Sequence, residues 1–175
     1  MPRTTHGMDL VLFFRRIADQ DTEDASRLRF QTEHTLTKEK ESESNATKDG
    51  QVVNVTDGEN SIDFTSYAYV EDDGTQGTWE VMEEYFDDDE LMEIWEVNTR
   101  NMTDDGSYHA TYFVGYITSF EKSAPSDGTV ELSFTITLEG KGTKGTDVLT
   151  EEQEATVGAR MREYESLNRS ENTDV

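Results

Sequence analysis

Apolar residues in this chain recur mainly at the two-residue spacing of half-buried strands. The clearest case is 129–139, where Val130, Leu132, Phe134, Ile136 and Leu138 alternate with Glu131, Ser133, Thr135, Thr137 and Glu139. Such a strand turns one face to a core and the other to water. Residues 8–17 (MDLVLFFRRI) run apolar without alternation, the pattern of a strand buried on both faces. Further strands are expected at 27–36, 51–56, 61–71, 91–99 and 108–121. Turns are expected at Asp57-Gly58, Asp72-Asp73-Gly74 with Gly77, Asp104-Asp105-Gly106 and 123–128, all built from turn-forming residues. The period changes at 78–88. Trp79, Met82 and Phe86 fall three and four apart, which predicts a short helix with one apolar face. Thr78 is its expected N-cap, with Glu80, Glu83 and Glu84 complementing the dipole before Asp87–Glu90 ends it. Thr150-x-x-Gln153 resembles a capping box, so a second short helix is expected to about residue 167, followed by a frayed tail.

One stretch has nothing to bury. Residues 37–51 (TKEKESESNATKDGQ) contain a single Ala and no larger apolar side chain. They form a solvated loop or a hairpin arm, because a segment without apolar area gains nothing by packing.

The 175 residues suit one domain, or one domain with appendages. Asp and Glu number 39 against 15 Lys and Arg, which leaves a formal charge of −24. That field disfavours any reading in which the protein grips nucleic acid, which needs a basic face to displace counterions. It disfavours an anionic membrane surface for the same reason. Hydrophobic residues are only 33%, yet 8 Phe, 7 Tyr and 2 Trp are enough to nucleate a core, which argues against full disorder. No cysteine is present, so neither a disulfide framework nor a thiolate metal site exists. The apolar run Leu10–Phe14 is too short to span a bilayer and lacks a signal-peptide layout, so a soluble intracellular product is expected. The acidity itself has two readings. One is a salt-rich host, where molar salt shortens the Debye length to about 3 Å and makes the charge tolerable. The other is an acidic protein from an ordinary host.

Candidate chemistry is sparse. Gly140-x-Gly142-x-x-Gly145 matches the dinucleotide fingerprint as a string, but a helix should open at the glycines and an alternating strand precedes them instead. A flexible connector is the expected role. His6, His34 and His109 have no partner at metal-ligand spacing. Asp72-Asp73 and Asp87-Asp88-Asp89 could hold a hard cation, although such runs are usually solvated turns. No catalytic residue, cofactor or metal site is assigned, and the motifs alone lead to an acidic β-rich domain that is not an enzyme.

Several stretches, taken in order, go further. Phe30-Gln-Thr-Glu-His-Thr is followed by the charged arm and then by Thr47-Lys48-Asp49-Gly50. The helix at 79–88 precedes Leu91-Met-Glu-Ile-Trp95-Glu-Val, and Gly115-Tyr-Ile-Thr-Ser-Phe120, Ala124-Pro125 and Asp127-Gly128 follow. Together these cover most of 8–153, and they resemble the major tail (tail tube) proteins of long-tailed, siphovirus-type bacteriophages, the TP901-1-like family. The resemblance implies a mainly β fold, a β-sandwich or partial barrel with one flanking helix, spanning 1–150 with a C-terminal extension at 151–175. It implies a structural virion protein whose hexameric rings stack into the hollow tail tube that conducts DNA into the host. Strands of every subunit would join one barrel around the lumen. The implied partners are further copies of the chain, a tape measure protein and a tail terminator or connector. DNA would pass without being specifically held, no membrane would be involved, and the subunit would wait in the host cytoplasm before assembly. By the same resemblance residues 37–51 form the inter-ring stacking arm, with Lys38, Glu39, Lys40, Glu41, Thr47, Lys48, Asp49 and Gly50 as its contact residues. A lumen must let DNA slide, so Glu131, Ser133, Thr135, Thr137 and Glu139, a cation-free polar face, are the candidate lining.

Three other classes stand beside this reading. A tube ring of a contractile injection or secretion system would share the architecture. An acidic β-sandwich binding basic proteins would never form ring stacks. An enzyme built on loop carboxylates would need convergent acids in a pocket.

Overall fold

The computed structural model describes residues 4–158. The strands are β1 (Leu10–Arg16), β2 (Ser26–Arg27), β3 (Gln31–Thr47), β4 (Gly50–Tyr67), β5 (Leu91–Met102), β6 (Tyr108–Ser123), β7 (Glu131–Leu138) and β8 (Thr143–Asp147). The helices are α1 (Thr78–Asp87) and α2 (Glu151–Gly158). All strand pairs are antiparallel, in the order β2-β1-β5-β6-β7-β4-β3, with β8 on the early part of β6.

The sheet does not close, yet it curls until its two halves face each other. Phe14 on β1 lies 5.1 Å from Phe64 on β4 between ring centroids, although three strands separate them in the sheet order. Phe64 stacks in turn on Phe134 at 4.9 Å, and Phe134 lies tilted against Phe120 at 4.9 Å. His34 on β3 reaches Glu96 on β5 across the same gap, Nε2 to Oε2 2.9 Å. The enclosed core gathers Leu12, Ile62, Met92, Ile94, Phe113, Leu132 and Ile136. Helix α1 caps it with Met82, which is fully buried, while Trp79 and Phe86 pack at the margin. The alternation of 130–138 is thus a one-sided strand, as the sequence indicates: Leu132, Phe134, Ile136 and Leu138 are buried.

β1 carries no alternation because both its faces are covered. Leu12 and Phe14 enter the main core. Val11 and Phe13 join a second cluster with Val97 and Leu149 on the other side of the sheet. The segment leading into α2 covers that cluster. Gln153 Nε2 donates to the Ala25 carbonyl at 2.8 Å, and the Arg27 guanidinium donates to the Thr156 carbonyl. The expected capping box is present: Thr150 N–H donates to Gln153 Oε1 (3.0 Å), and Gln153 N–H to Thr150 Oγ1 (3.3 Å). The helix expected to 167 and the frayed tail lie outside the described residues beyond 158.

Four local expectations are corrected. Residues 27–36 are not one strand: Phe30 takes a left-handed φ of 55°, which separates β2 from β3. Asp57-Gly58 is not a turn but part of an unbroken β4. Lys38 pairs with Asn60 and Lys40 with Asp57, so Gly58 and Glu59 oppose Glu39 alone in a β-bulge. A Cβ on Gly58 would lie 3.1 Å from the Glu39 carbonyl oxygen, so the small residue serves close strand approach. The N-cap of α1 is Gly77, whose N–H donates to the Glu80 carboxylate (3.1 Å), and Thr78 is the first helical residue. The glycine-rich 140–145 segment is no loose connector, because it leads into β8, which pairs with Tyr108–Tyr112 of β6. Gly142 turns the chain at φ 80°, where a Cβ would sit 2.3 Å from the Phe113 ring. Gly142→Ala should therefore destabilise by roughly 1–3 kcal/mol, seen as a lower denaturant midpoint at unchanged slope.

One carboxylate is buried on the second face. Glu93 accepts from Arg15 Nε at 2.8 Å and from Tyr112 Oη at 2.9 Å, while the Arg15 guanidinium lies over Trp95 at 5.0 Å. Burial, and then the bond to Glu93, push the Tyr112 hydroxyl up to about 12. A raised folded value stabilises below the unfolded value near 10 and loses that contribution as pH rises toward about 12. The wild-type chain should lose stability across that window in alkaline denaturation, and Tyr112→Phe should flatten the loss.

Candidate assembly surfaces

Three surfaces are left uncovered in the described chain, and each follows from strand register. The first is the arm. β3 and β4 pair continuously from their bodies to a two-residue loop, Lys48-Asp49, closed by Thr47 Oγ1 donating to the Gly50 carbonyl at 2.7 Å. The segment 37–51 is therefore one strand and the tip of a hairpin whose return strand runs through Asn60. Its return half is less polar than its outward half. Val52, Val53 and Val55 are 49%, 59% and 61% exposed. Opposed residues of an antiparallel pair share a face. Ser42 with Val55, Ser44 with Val53 and Ala46 with Gln51 thus form a small-apolar face. Glu41 with Thr56, Glu43 with Asn54 and Asn45 with Val52 form an acidic-polar face.

The named arm residues do not act alike. Glu41, Thr47, Lys48, Asp49 and Gly50 stand free of the body on the arm. Lys40 and Asp57 form an exposed ion pair across the ladder, worth little by itself. Lys38 is tied down: its ammonium donates to the Lys141 carbonyl at 2.6 Å and lies 5.5 Å from the Phe113 ring centroid. Asn60, buried beside it, accepts from the Glu39 N–H at 3.2 Å and donates to the Gly140 carbonyl at 2.9 Å. Lys38, Glu39 and Asn60 are the root of the arm.

The second surface is the polar face of the β3-β4-β7-β6 segment of the sheet. Ser133, Thr135 and Thr137 sit side by side with Thr65, Asp63 and Ser61 on β4, while Glu131 lies opposite Tyr67 and Glu139 follows the strand end. Thr135 donates to Asp63 at 2.6 Å and Thr137 bonds Thr118 at 3.0 Å, so the face is a hydrogen-bonded lattice. Register adds Glu33 and Thr35 from β3 and Glu121 from β6. Its charged members on the strands are Glu33, Asp63, Glu121 and Glu131, with Glu139 just past the end of β7; Lys122 points away, to Glu83 of α1 at 3.1 Å. The alternation in Ser61-Ile-Asp-Phe-Thr was a legible signal for the β4 contribution. Glu33 and Glu121 were hidden by the bulges at Thr32 and Thr118 that break the two-residue spacing.

The third surface is the pair of open edges flanking that segment. The outer edge of β3 over 31–37 has no strand partner in the described chain, and neither does the edge of β6 beyond Tyr116, where β5 has not begun. Unpaired N–H and C=O rows of this kind recruit another strand. Among the described residues no three His, Asp or Glu side chains converge to hold a metal, and no helix is long and apolar enough to cross a membrane.

Residues 4–144 match the family model for phage tail tube proteins. The chain belongs to that family. As a tail tube protein it is a structural part of the virion tail. No curated protein sequence matches it. Solved structures repeat its fold. The tail tube of SPP1, determined by solid-state NMR and cryo-EM, superposes with a TM-score of 0.72 at 16% identity, covering 98% of this chain and 95% of the other. The tail of an empty gene transfer agent particle, refined with C6 symmetry, gives 0.59 at 14% over 80% of this chain and 98% of the other. A sheath-tube complex of an extracellular contractile injection system gives 0.51 at 6%, over 85% and 95%. The tube fold is therefore shared with contractile systems, while the family match is to phage tails.

Proposed function

We propose that six copies of this tail tube protein close a ring, that rings stack through the arm, and that the hollow stack conducts viral DNA. The observation that carries the ring is the polar, cation-free β3-β4-β7-β6 face with an open strand edge on either side. The edge of β3 in one copy fits the free edge of β6 in the next, and repetition removes every edge around the barrel. Six-fold symmetry in the gene transfer agent tail supports the ring order. Six copies of four strands give about 24. At about 4.8 Å between strands and a tilt near 40°, that barrel has a backbone diameter on the order of 45 Å. Inward side chains take about 5 Å on each side, which leaves a bore wider than duplex DNA.

Glu131, Ser133, Thr135, Thr137 and Glu139 line that bore in this reading, with Asp63 and Thr65 beside them. The chemistry suits passage rather than capture. Phosphates meet carboxylates and hydroxyls and find no ammonium or guanidinium to release counterions against. With −24 per copy, six copies make about −144 per ring before screening. The ends of the stack would meet a tape measure protein and a terminator or connector, and the narrower TP901-1-like placement belongs to the same proposal. A role in structure rather than catalysis fits the family and every surface described. The test is a reconstruction of tubes grown from purified protein. The side chains of Glu131, Ser133, Thr135, Thr137 and Glu139 should face the bore, and a map with them on the outer surface would overturn the lining.

A further inference from the structure

The β3–β4 ribbon has an exposed apolar patch at each end. At the arm end lie Val53 and Val55 with Ala46. At the opposite end lie Phe30, 56% exposed, and Val70, 82% exposed, with Tyr69 packed edge-on against Phe30 at 5.5 Å. Phe30 is the more telling of the two. A bulky aromatic residue with a φ of 55° is a steric outlier, and such strain persists where the ring has work outside the local fold. Here Phe30 stays more than half exposed, while its ring touches Tyr69 within the subunit. Arg29 lies over both aromatic rings, 5.5 Å from Phe30 and 6.0 Å from Tyr69, and in the free chain pairs with Glu71 at 3.2 Å.

We propose that the small-apolar face of the arm in one ring seats on the Phe30, Tyr69 and Val70 patch of a copy in the adjoining ring. This rests on the stacked-ring reading and adds the receiving surface and the face of the arm that meets it. One observation selects a second copy as the occupant. The patches lie at opposite ends of one continuous ribbon, the layout of a head-to-tail contact that repeats without closing and so builds a filament. The ribbon separates Val53 from Phe30 by roughly 45 Å at about 3.4 Å per residue, so the two patches of one chain cannot meet.

The chain has no cysteine, which makes the test clean. Val53→Cys and Val70→Cys are placed together in one chain, tubes are grown, and a bifunctional maleimide is added. The expected result is a ladder of covalent multimers on a denaturing gel, with each single variant giving dimers at most. Tubes that form normally but yield no ladder would overturn the docking surface and leave stacking intact. Failure of the wild-type chain to form tubes would overturn the stacking reading, and the docking surface with it. Phe30→Gly adds a readout of opposite sign. It relieves the left-handed strain, so the thermal midpoint of the subunit should not fall, while tube yield should drop at least tenfold. An unchanged tube yield would count against the proposal.

Discussion

Replacing residues 42–55 by Asn-Gly is expected to give a folded subunit that no longer builds tubes. Glu41 and Thr56 are directly paired, so the two-residue insert closes the ribbon in register with a turn that suits hairpins. No member of either buried cluster lies between 42 and 55. The unfolding midpoint should therefore stay within a few degrees of wild type. Every inter-ring contact attributed to the arm is lost at once, so electron micrographs should show isolated subunits or single rings. Long tubes from the trimmed chain would remove the arm from the stacking mechanism. A narrower deletion of 38–49 would be harder to interpret, because it destroys the root at Lys38 and strands the return half without a partner.

Phe64→Ala is the second large effect, and it acts on the fold rather than on assembly. Phe64 touches Phe14 on one side and Phe134 on the other, so it joins the two halves of the curled sheet. Truncating a fully packed Phe costs about 3–5 kcal/mol, much of what a domain has in total. At about 2–4 °C per kcal/mol for this size, the melting temperature should fall by roughly 6–20 °C. A fall of only a degree or two would mean that the halves are held by backbone pairing alone. Because tube growth requires a sound subunit, this variant should lose tubes and stability together, in contrast to the arm-trimmed chain.

Much of this architecture was legible where one physical signal dominated. Strict alternation placed Leu132, Phe134 and Ile136 inward, and the double-sided run at Leu10–Phe14 identified a strand covered on both faces. The arm was found from an absence: a stretch with one Ala cannot pack in its own subunit. The failures cluster where a residue type has two uses. Asp57-Gly58 reads as a turn because Asp-Gly commonly makes one, but the same small residue also admits a bulge, and only its partner Glu39 decides between them. Phe30 gave no warning, since nothing in an aromatic side chain announces a left-handed backbone. The glycines at 140–145 read as loose chain, whereas Gly142 exists to let the backbone press against Phe113. The polar β3-β4-β7-β6 face was half visible. Its β7 and β4 rows alternate cleanly, but their placement side by side depends on a pairing of residues some 70 positions apart in the chain.

The root of the arm carries a mechanical consequence. Lys38 and Asn60 fix both strands to the same short stretch of backbone at Gly140 and Lys141, and the bulge at Glu39 and Gly58 follows at once. The arm is then a cantilever with a clamped root and a compliant point just beyond it. In rings stacked through the arm, bending between rings would concentrate at that bulge and leave the hydrogen-bonded polar lattice undistorted. In such a tube, flexibility would be tuned by the residues at 39 and 58 and not by the core.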